Sequence, residues 1–366
     1  MNVLSLFDGM SCGQQALKEL GIRVDNYYAS EIDKYAIQIA KKNFPNTIHV
    51  GDVTELKGAN LPQIDLLMGG SPCQGFSFAG KQLNFNDPRS ALFFEFVRVM
   101  KETKPKYFLL ENVRMKQEYQ DVITAHMGVK PIMINSSLLS AQNRVRLYWT
   151  NIPNIEQPTE RGIVLKDVLE ETTEEKYKIS SAKVDRVLNS PRGKGFFYDE
   201  DSNKIGTVVA GYHKEPTDGS YIVSKPIQVG NASDINGHDM IKRIYSSDGK
   251  SPALTTMQGG NTQPKVSIRD TENYYQLNRE GAYPNQQQDR IRKPNKPSNT
   301  LTSGASSIPK VMLKGLQYRK LTPLECERLQ TLPDNYTEGV SNTQRYKMIG
   351  NGWTIEVIKH ILNEMQ

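Results

Sequence analysis

The chain predicts an α/β protein in which a parallel, doubly wound sheet is interrupted by an inserted, mostly β segment. Three observations predict it. Short apolar runs alternate with helical patterns up to about residue 150. From about 166 to 315 the character changes to Gly, Asn, Ser, Thr and Pro punctuation with short β-like runs. Helical patterns then return from Tyr318 to the end.

Taken in order, the strand-like runs are residues 3–7, 26–30, 64–69, 107–111 and 146–150, with a further strand expected just before Gly51-Asp52-Val53. Residues 14–20 have helical character and end at Gly21, a natural C-cap. Residues 91–101 place Leu92, Phe93, Phe96, Val97 and Met100 at helical spacing, and Pro105 follows. Thr322-Pro323-Leu324-Glu325 is a helix start, with Thr as N-cap, Pro at the first position and Glu at the third. The last helix, residues 354–365, carries Ile355, Ile358, Ile361 and Leu362 on one face and is expected to pack back on the first segment. The division expected is therefore 1–165, an insert at 166–315, and a return to the first domain at 316–366.

With 366 residues, 37% of them hydrophobic, the chain can bury a substantial core. It has no run of 18 apolar residues and no signal-peptide pattern at its start, so a soluble, intracellular protein with no membrane partner is expected. Cys12, Cys73 and Cys326 are too few and too scattered for a disulfide framework or a zinc site, and no metal is expected. A net charge of +6 favours a polyanionic partner.

The segment Phe7-Asp8-Gly9-Met10-Ser11-Cys12-Gly13 follows a strand and opens a helix, where doubly wound folds bind nucleosides. It lacks the G-x-G-x-x-G fingerprint of a dinucleotide site. Glu31, at the end of the second strand, is placed to accept from ribose hydroxyls, and Asp52 to accept from an adenine amino group. That order describes a pocket for S-adenosylmethionine. Alternatively, Glu31 caps a helix and Asp52 is a turn residue.

Cys73 lies in Gly69-Gly70-Ser71-Pro72-Cys73-Gln74-Gly75-Phe76-Ser77, directly after an apolar strand. A lone cysteine is usually a small buried hydrophobe. Here the small neighbours let a substrate approach the backbone, and Pro72 fixes the turn that presents the thiol.

Phe7-Asp8-Gly9, Pro72-Cys73-Gln74, Glu111-Asn112-Val113, Gln142-Asn143-Arg144-Val145-Arg146, the stretch from Arg319-Lys320-Leu321-Thr322-Pro323 to Pro333, and Gly350-Asn351-Gly352 occur in that order. Through these blocks the chain resembles the DNA cytosine-5 methyltransferase family of prokaryotic or phage type, from end to end apart from the insert. The resemblance implies a Rossmann-like S-adenosylmethionine-dependent methyltransferase fold with an inserted target-recognition domain. It also implies methyl transfer to carbon 5 of cytosine within a specific double-stranded DNA sequence.

By this resemblance Cys73 attacks carbon 6 of the ring as a thiolate. Glu111 holds or protonates the ring nitrogen 3 edge, Arg146 holds the ring carbonyl at position 2, and Arg144 orders the site. The cofactor residues implied are Phe7, Asp8, Gly9, Gly13, Glu31, Ile32, Asp52, Val53, Leu92, Asn351, Gly352 and Trp353. Pro72, Gln74, Ser77 and Gln142 are implied on the substrate side. The target base must be flipped out of the duplex, and the loop at residues 76–87 is the candidate to close over it. Two positions depart from the family's usual pattern: Phe-Asp-Gly replaces Phe-Ala-Gly, and Gly352-Trp353 follows Gly350-Asn351. Both resemble the branch containing the animal de novo methyltransferases.

The insert contains a weak repeat: Lys204, Lys250 and Lys296 are each followed by a Thr/Leu/Val-rich run and glycine, suggesting β-hairpin units. Arg243, Arg290, Arg292 and Lys293 are candidates for DNA contacts, and the acidic stretch Glu170, Glu171, Glu174 and Glu175 is expected to face away from DNA. A monomer in the bacterial cytoplasm, associated with the nucleoid, is expected. The resemblance leaves three settings open: an orphan enzyme, a phage-borne one, or a restriction-modification system with a separate cognate restriction endonuclease. Transfer-RNA methylation, DNA binding on a catalytically dead scaffold, and nucleotide-dependent oxidoreduction are the alternatives.

Overall fold

The computed structural model describes residues 1–71, 88–171, 173–180, 184, 197–198, 202–214, 219–224, 228–231, 243–246, 265–267 and 317–365. Two compact units emerge, one formed by Met1–Ile222 with Lys320–Gln366 and the other by Val223–Arg319.

The first unit is built on seven strands: β1 (Asn2–Leu6), β2 (Asn26–Ser30), β3 (Ile48–Gly51), β4 (Leu66–Gly69), β5 (Tyr107–Val113), β6 (Ile132–Asn135) and β7 (Val145–Thr150), in the order β3-β2-β1-β4-β5-β7-β6. The first five run parallel, as the alternation with helices predicts. β7 departs from that expectation and is antiparallel to both neighbours, β5 and β6. The cause is the connection between β6 and β7, which is too short for a helical crossover and forces the chain to reverse. β6 itself was not legible in the sequence, being a short edge strand with Met133 exposed.

Alternation along the strands divides the core into two layers. Val3, Leu66, Met68, Leu109 and Tyr148 contribute to one, and Leu4, Leu67, Phe108, Leu110 and Trp149 to the other. Helices α1 (Cys12–Glu19) and α2 (Lys34–Asn43) cover the first layer, while α3 (Pro88–Thr103) and α4 (Gln117–Met127) cover the second. The C-terminal stretch adds α5 (Pro323–Leu329), α6 (Asn342–Asn351) and α7 (Ile355–Leu362) to the first layer. Ile355, Ile358, Ile361 and Leu362 are fully buried and α7 packs on α1, as its apolar face predicts. The Thr322 side chain accepts from the Glu325 amide and the Glu325 carboxylate accepts from the Thr322 amide, completing the capping box.

The boundary of the insert differs from the expected 165/166. Leu165, Val168, Ile205, Val208, Tyr212 and Ile222 all belong to the core layer shared with α1 and α7, so residues 166–222 are part of the first unit. Two short strands, β8 (Phe197–Tyr198) and β9 (Tyr221–Ser224, which runs past residue 222), pair in parallel. Residues 207–210, expected as the first repeat's strand, are irregular chain because their polar groups are engaged elsewhere. The Val208 amide donates to the Gln142 side chain at 3.0 Å and the Thr207 hydroxyl to the Asn143 carbonyl at 2.7 Å. The runs after Lys250 and Lys296 lie outside the described residues, as do Arg290, Arg292 and Lys293.

The second unit contains β10 (Gln228–Asn231), β11 (Arg243–Ser246) and β12 (Lys265–Ser267) in one sheet, antiparallel between β10 and β11 and parallel between β11 and β12. Arg243 begins β11.

Candidate active site

At the carboxyl end of β1 the chain makes a tight loop in which Phe7, Gly9 and Ser11 all have left-handed backbone, with φ of 56°, 60° and 63°. Such geometry is costly for Phe7 and Ser11 and persists only where neighbours impose it. The Asp8 amide donates to the Ser30 carbonyl of β2 at 3.1 Å, and the Gly9 amide to the Glu31 carboxylate at 2.8 Å. The Tyr336 hydroxyl donates to the Met10 carbonyl at 2.8 Å. Asp8 is buried beneath this loop and accepts from the Tyr27 hydroxyl at 2.8 Å and from the Ser11 hydroxyl. Burial, helped by the charge of Glu31, raises the Asp8 carboxyl to about 6 in spite of the hydrogen bonds from Ser11, Ser5 and Tyr27.

Glu31 uses its other oxygen to accept from the Ile32 and Asp33 amides, at 2.7 and 2.8 Å. One carboxylate thus ties the β1 loop to the start of α2 at the carboxyl edge of the sheet. Beside it the Ile32 side chain is 73% exposed. Asp52 accepts from the amide and hydroxyl of Thr54, both at 2.9 Å, in a turn after β3. Val53 is buried, and its carbonyl accepts from Arg98 at 2.8 Å; Leu92 is half-buried on α3. Gly13 opens α1 under Met68: a Cβ there would lie 2.6 Å from the Met68 methyl and 3.4 Å from the Trp353 ring.

The ends of β4 and β5 are side by side, with Gly69 paired to Leu110. Glu111 follows, buried, with one carboxylate oxygen 3.0 Å from Arg146 Nε and the other accepting from Trp353 Nε1 at 3.2 Å. Arg146 sits opposite because β7 runs antiparallel to β5, which pairs Val113 with Arg146 and Glu111 with Tyr148. Asn112 reaches across to the Ser71 hydroxyl at 3.3 Å, tying β5 to the segment that leads into Pro72. Gly70 leaves room for the bond between Glu111 and Trp353: a Cβ would stand 3.0 Å from both the Glu111 oxygen and the Trp353 nitrogen and would crowd them. Pro72, Cys73, Gln74, Ser77 and the loop at residues 76–87 lie outside the described residues.

Arg144 is buried behind this group and donates to the carbonyls of Val208, Gly350 and Gly352, at 3.3, 3.2 and 2.9 Å. Burial and the neighbouring Arg146 charge lower it to about 9, so it stays cationic at neutral pH. It therefore orders the backbone around Trp353 and does not face the Glu111 carboxylate as a ligand. Gln142 is fully buried; it accepts from the Val208 amide at 3.0 Å and donates to the Leu329 carbonyl at 3.2 Å. Gly350 sits against the backbone of Val209 and Ala210, where a Cβ would come within 2.3 Å of the Ala210 nitrogen. Asn351 is exposed at the end of α6.

Glu111, Arg146, Trp353 and Gly13 thus come together, while Glu31, Ile32 and Asp52 line the neighbouring strand ends. Sequence reasoning missed Gly70, Asn112 as a tether, Tyr27 and Gln330. Asn112 stood in the Glu111-Asn112-Val113 block and was legible there. Nothing local marks Tyr27 or Gln330, whose partners Asp8 and Gly352 are distant in sequence.

The reversed seventh strand, the left-handed loop after β1 and the carboxylate at the end of β2 define a Rossmann-like methyltransferase. Solved structures alike in fold include Entamoeba histolytica methyltransferase EhMeth, with a TM-score of 0.64, 17% identity and coverage of 100% of this chain and 97% of that one. S. pombe Dnmt2 methyltransferase aligns with a TM-score of 0.59 and 15% identity over 99% and 98% of the two chains. The chain belongs to the C-5 cytosine-specific DNA methylases, whose family model matches residues 1–366, and it is a DNA cytosine-5 methyltransferase. Among its relatives are the orphan methyltransferase M.Rho11sI of Bacillus phage rho11s, 29% identical over all of this chain and 97% of the relative, and the type II methyltransferase M1.ScrFI of Lactococcus lactis subsp. cremoris, 28% identical over 94% and 72%.

Proposed function

We propose that the enzyme methylates cytosine at carbon 5 within one specific double-stranded DNA sequence, with S-adenosylmethionine as donor and Cys73 as covalent nucleophile. The observation that carries this reading is the buried Glu111 carboxylate held between Arg146 and Trp353 at the strand ends from which the Cys73 segment departs. A buried carboxyl fixed by two donors is suited to hold the nitrogen edge of a flipped cytosine, and Arg146 beside it to hold the ring carbonyl. Flipping is required because the ring carbons are unreachable inside a duplex.

In this reaction the Cys73 thiolate adds to carbon 6, forming a carbon–sulfur bond as the carbon 5–carbon 6 π pair moves into the ring, while Glu111 passes a proton to nitrogen 3 and takes it back when the ring is restored. S-adenosylmethionine, when bound, would supply an electrophilic methyl group for carbon 5, its sulfur–methyl bond breaking to leave S-adenosylhomocysteine. Loss of the carbon 5 proton to a base then expels the thiolate, restoring the aromatic ring and Cys73.

The residues of the first strand ends fit the donor. Glu31 offers a fixed carboxylate to ribose hydroxyls, and the exposed Ile32 side chain is an apolar face for a purine ring. Phe7, Gly9, Gly13, Asp52, Leu92, Asn351, Gly352 and Trp353 complete the proposed cofactor surface, with the buried Asp8 and Val53 supporting it from beneath; Pro72, Gln74 and Ser77 serve the substrate side, and the buried Gln142 supports it through the backbone of Val208 and Leu329. Residues of the second unit read the DNA sequence. The names of the relatives support a modification role, as an orphan enzyme or beside a separate restriction endonuclease. A monomer working at the bacterial nucleoid completes the reading. Among the described residues no helix is long and apolar enough to cross a membrane.

The test is conversion-based sequencing for 5-methylcytosine in DNA from cells lacking other cytosine methylation that express the protein or its Cys73→Ser variant. A methylated motif seen only with the intact protein is expected. Methylation that persists with Cys73→Ser would exclude the covalent mechanism, and none from folded wild-type protein would exclude the DNA substrate.

A further inference from the structure

Trp353 stands where two halves of the site meet, and its backbone is fixed from several directions. The Gly350 and Gly352 carbonyls accept from Arg144, and the Ile349 carbonyl accepts from Gln330 Nε2 at 2.8 Å. On the other side, the Thr354 hydroxyl donates to Gln330 Oε1 at 2.8 Å and bonds the Ser136 hydroxyl at 2.9 Å. With the main chain pinned before and after it, the indole has little freedom beyond its own two torsions. One end of the ring lies against Gly13 at the start of α1, and the backbone of Trp353 shares a hydrogen bond with the Cys12 thiol. The other end donates its N–H to Glu111.

We propose that Trp353 is a positioning residue that couples the β1–α1 loop, and hence the cofactor seated on it, to the orientation of the Glu111 carboxylate. The coupling rests on the cofactor reading above. Arg146 and Trp353 grip different oxygens of Glu111, so together they set the plane of the carboxylate; Arg146 alone leaves it free to swing about one contact. Gly70 provides the room, since any Cβ there would press on both ends of the indole–carboxylate bond. A ligand that shifts Gly13 against the ring, or Met10 against Gly352, therefore shifts the hydrogen bond to Glu111, and the reverse holds by linkage. Gly352 strengthens the argument, because a Cβ there would lie 2.6 Å from the Met10 methyl and 3.2 Å from the Cys12 sulfur, so loop and ring carrier are in direct contact.

The chain has only two tryptophans, Trp149 and Trp353. Nitrogen-15 spectra of the full-length protein therefore contain two indole signals, assigned by Trp353→Phe. Glu111→Ala is expected to move the Trp353 signal and leave that of Trp149, which donates to Thr124. S-adenosylhomocysteine is expected to move the Trp353 signal as well. Its dissociation constant, measured by calorimetry, should rise about five-fold or more with Glu111→Ala in the wild-type background, at the low end of typical couplings, and hardly change in the Trp353→Phe background. Gly70→Ala retains both partners but crowds their bond, and should abolish the same coupling if Trp353→Phe fails to fold. An equal effect of Glu111→Ala in both backgrounds, or a Trp353 signal indifferent to Glu111, would overturn the proposal while leaving the cofactor reading intact. Failure of wild-type protein to bind S-adenosylhomocysteine would overturn both.

Discussion

At the scale of single residues, the most consequential burial is that of Asp8, which replaces the small residue usual at this point of the loop. Its carboxyl is raised from 3.8 to about 6, with burial the largest cause. The folded state therefore holds a proton that the unfolded chain releases between those values, and the contribution of Asp8 to stability is fully present below 3.8 and lost as pH rises to 6. The loss above pH 6 is about 3 kcal/mol, since each tenfold difference in proton affinity between the two states is worth ~1.4 kcal/mol. Asp8→Asn cannot titrate. Its stability relative to wild type should thus improve by about 1 kcal/mol between about pH 5 and pH 7, whatever constant cost the amide brings to the bonds with Tyr27 and Ser11. Urea unfolding of both proteins at the two pH values checks this; a pH-independent difference would show that Asp8 is already ionised without penalty. The sequence singles out Asp8 and Glu31 by their place at strand ends, where a doubly wound sheet presents side chains, and Glu111 and Arg146 through the resemblance their blocks carry. It could not assign Arg144 and Gln142 their partners. Those partners are carbonyls and amides from residues 208, 329, 350 and 352, brought near only by tertiary folding.

Among the elements, those with strong local signals were legible and those defined by pairing were not. The capping box at Thr322 and Glu325, the helical spacing of Leu92 through Met100 and the apolar face of α7 each state their conformation within a few residues. β6 and the reversal of β7 do not, because strand direction depends on the length of the connection and on the neighbour chosen. The C-terminal elements also carry a buried ionic cluster without a local signature. Glu327, fully buried on α5, accepts from the Asn335 and Thr337 amides at 2.8 and 2.9 Å, from the Thr337 hydroxyl, and from Arg345 of α6 at 2.9 Å. The cluster joins α5, the turn after it and α6, and so supports the backbone that carries Trp353. Removing one partner of such a pair leaves a buried charge uncompensated. Arg345→Met should destabilise the protein by about 3 kcal/mol, at the low end for buried pairs because three other donors remain. Adding Glu327→Gln should recover part of it, which denaturant unfolding of the single and double variants measures.

For the whole molecule, the arrangement follows from where apolar residues recur along the chain. The first unit is discontinuous, and its core closes only when α5, α6 and α7 return after residue 319. The second compact unit spans Val223–Arg319, so the change of composition expected at 166 and the division between the units fall at different places. Residues 166–222 are rich in turn formers, and composition alone does not reveal that Leu165, Val168, Tyr212 and Ile222 are buried with α1 and α7. All strands of the large sheet, Glu31, Glu111, Arg146 and Trp353 lie in the first unit, whereas residues 223–319 contribute none of the described groups at the strand ends. Replacing 225–316 with a short Gly/Ser linker, which keeps β9 and the strand Gln317–Lys320 whole, should leave a protein that unfolds cooperatively and binds S-adenosylhomocysteine with the affinity of the full chain. The same protein should lose selective methylation of any DNA sequence, because affinity for phosphates survives without the groups that read base edges. Calorimetry and methylation sequencing separate the two properties. Loss of cofactor binding from a folded protein would mean that the second unit completes the cofactor site, and retained sequence selectivity would move DNA reading into the first unit.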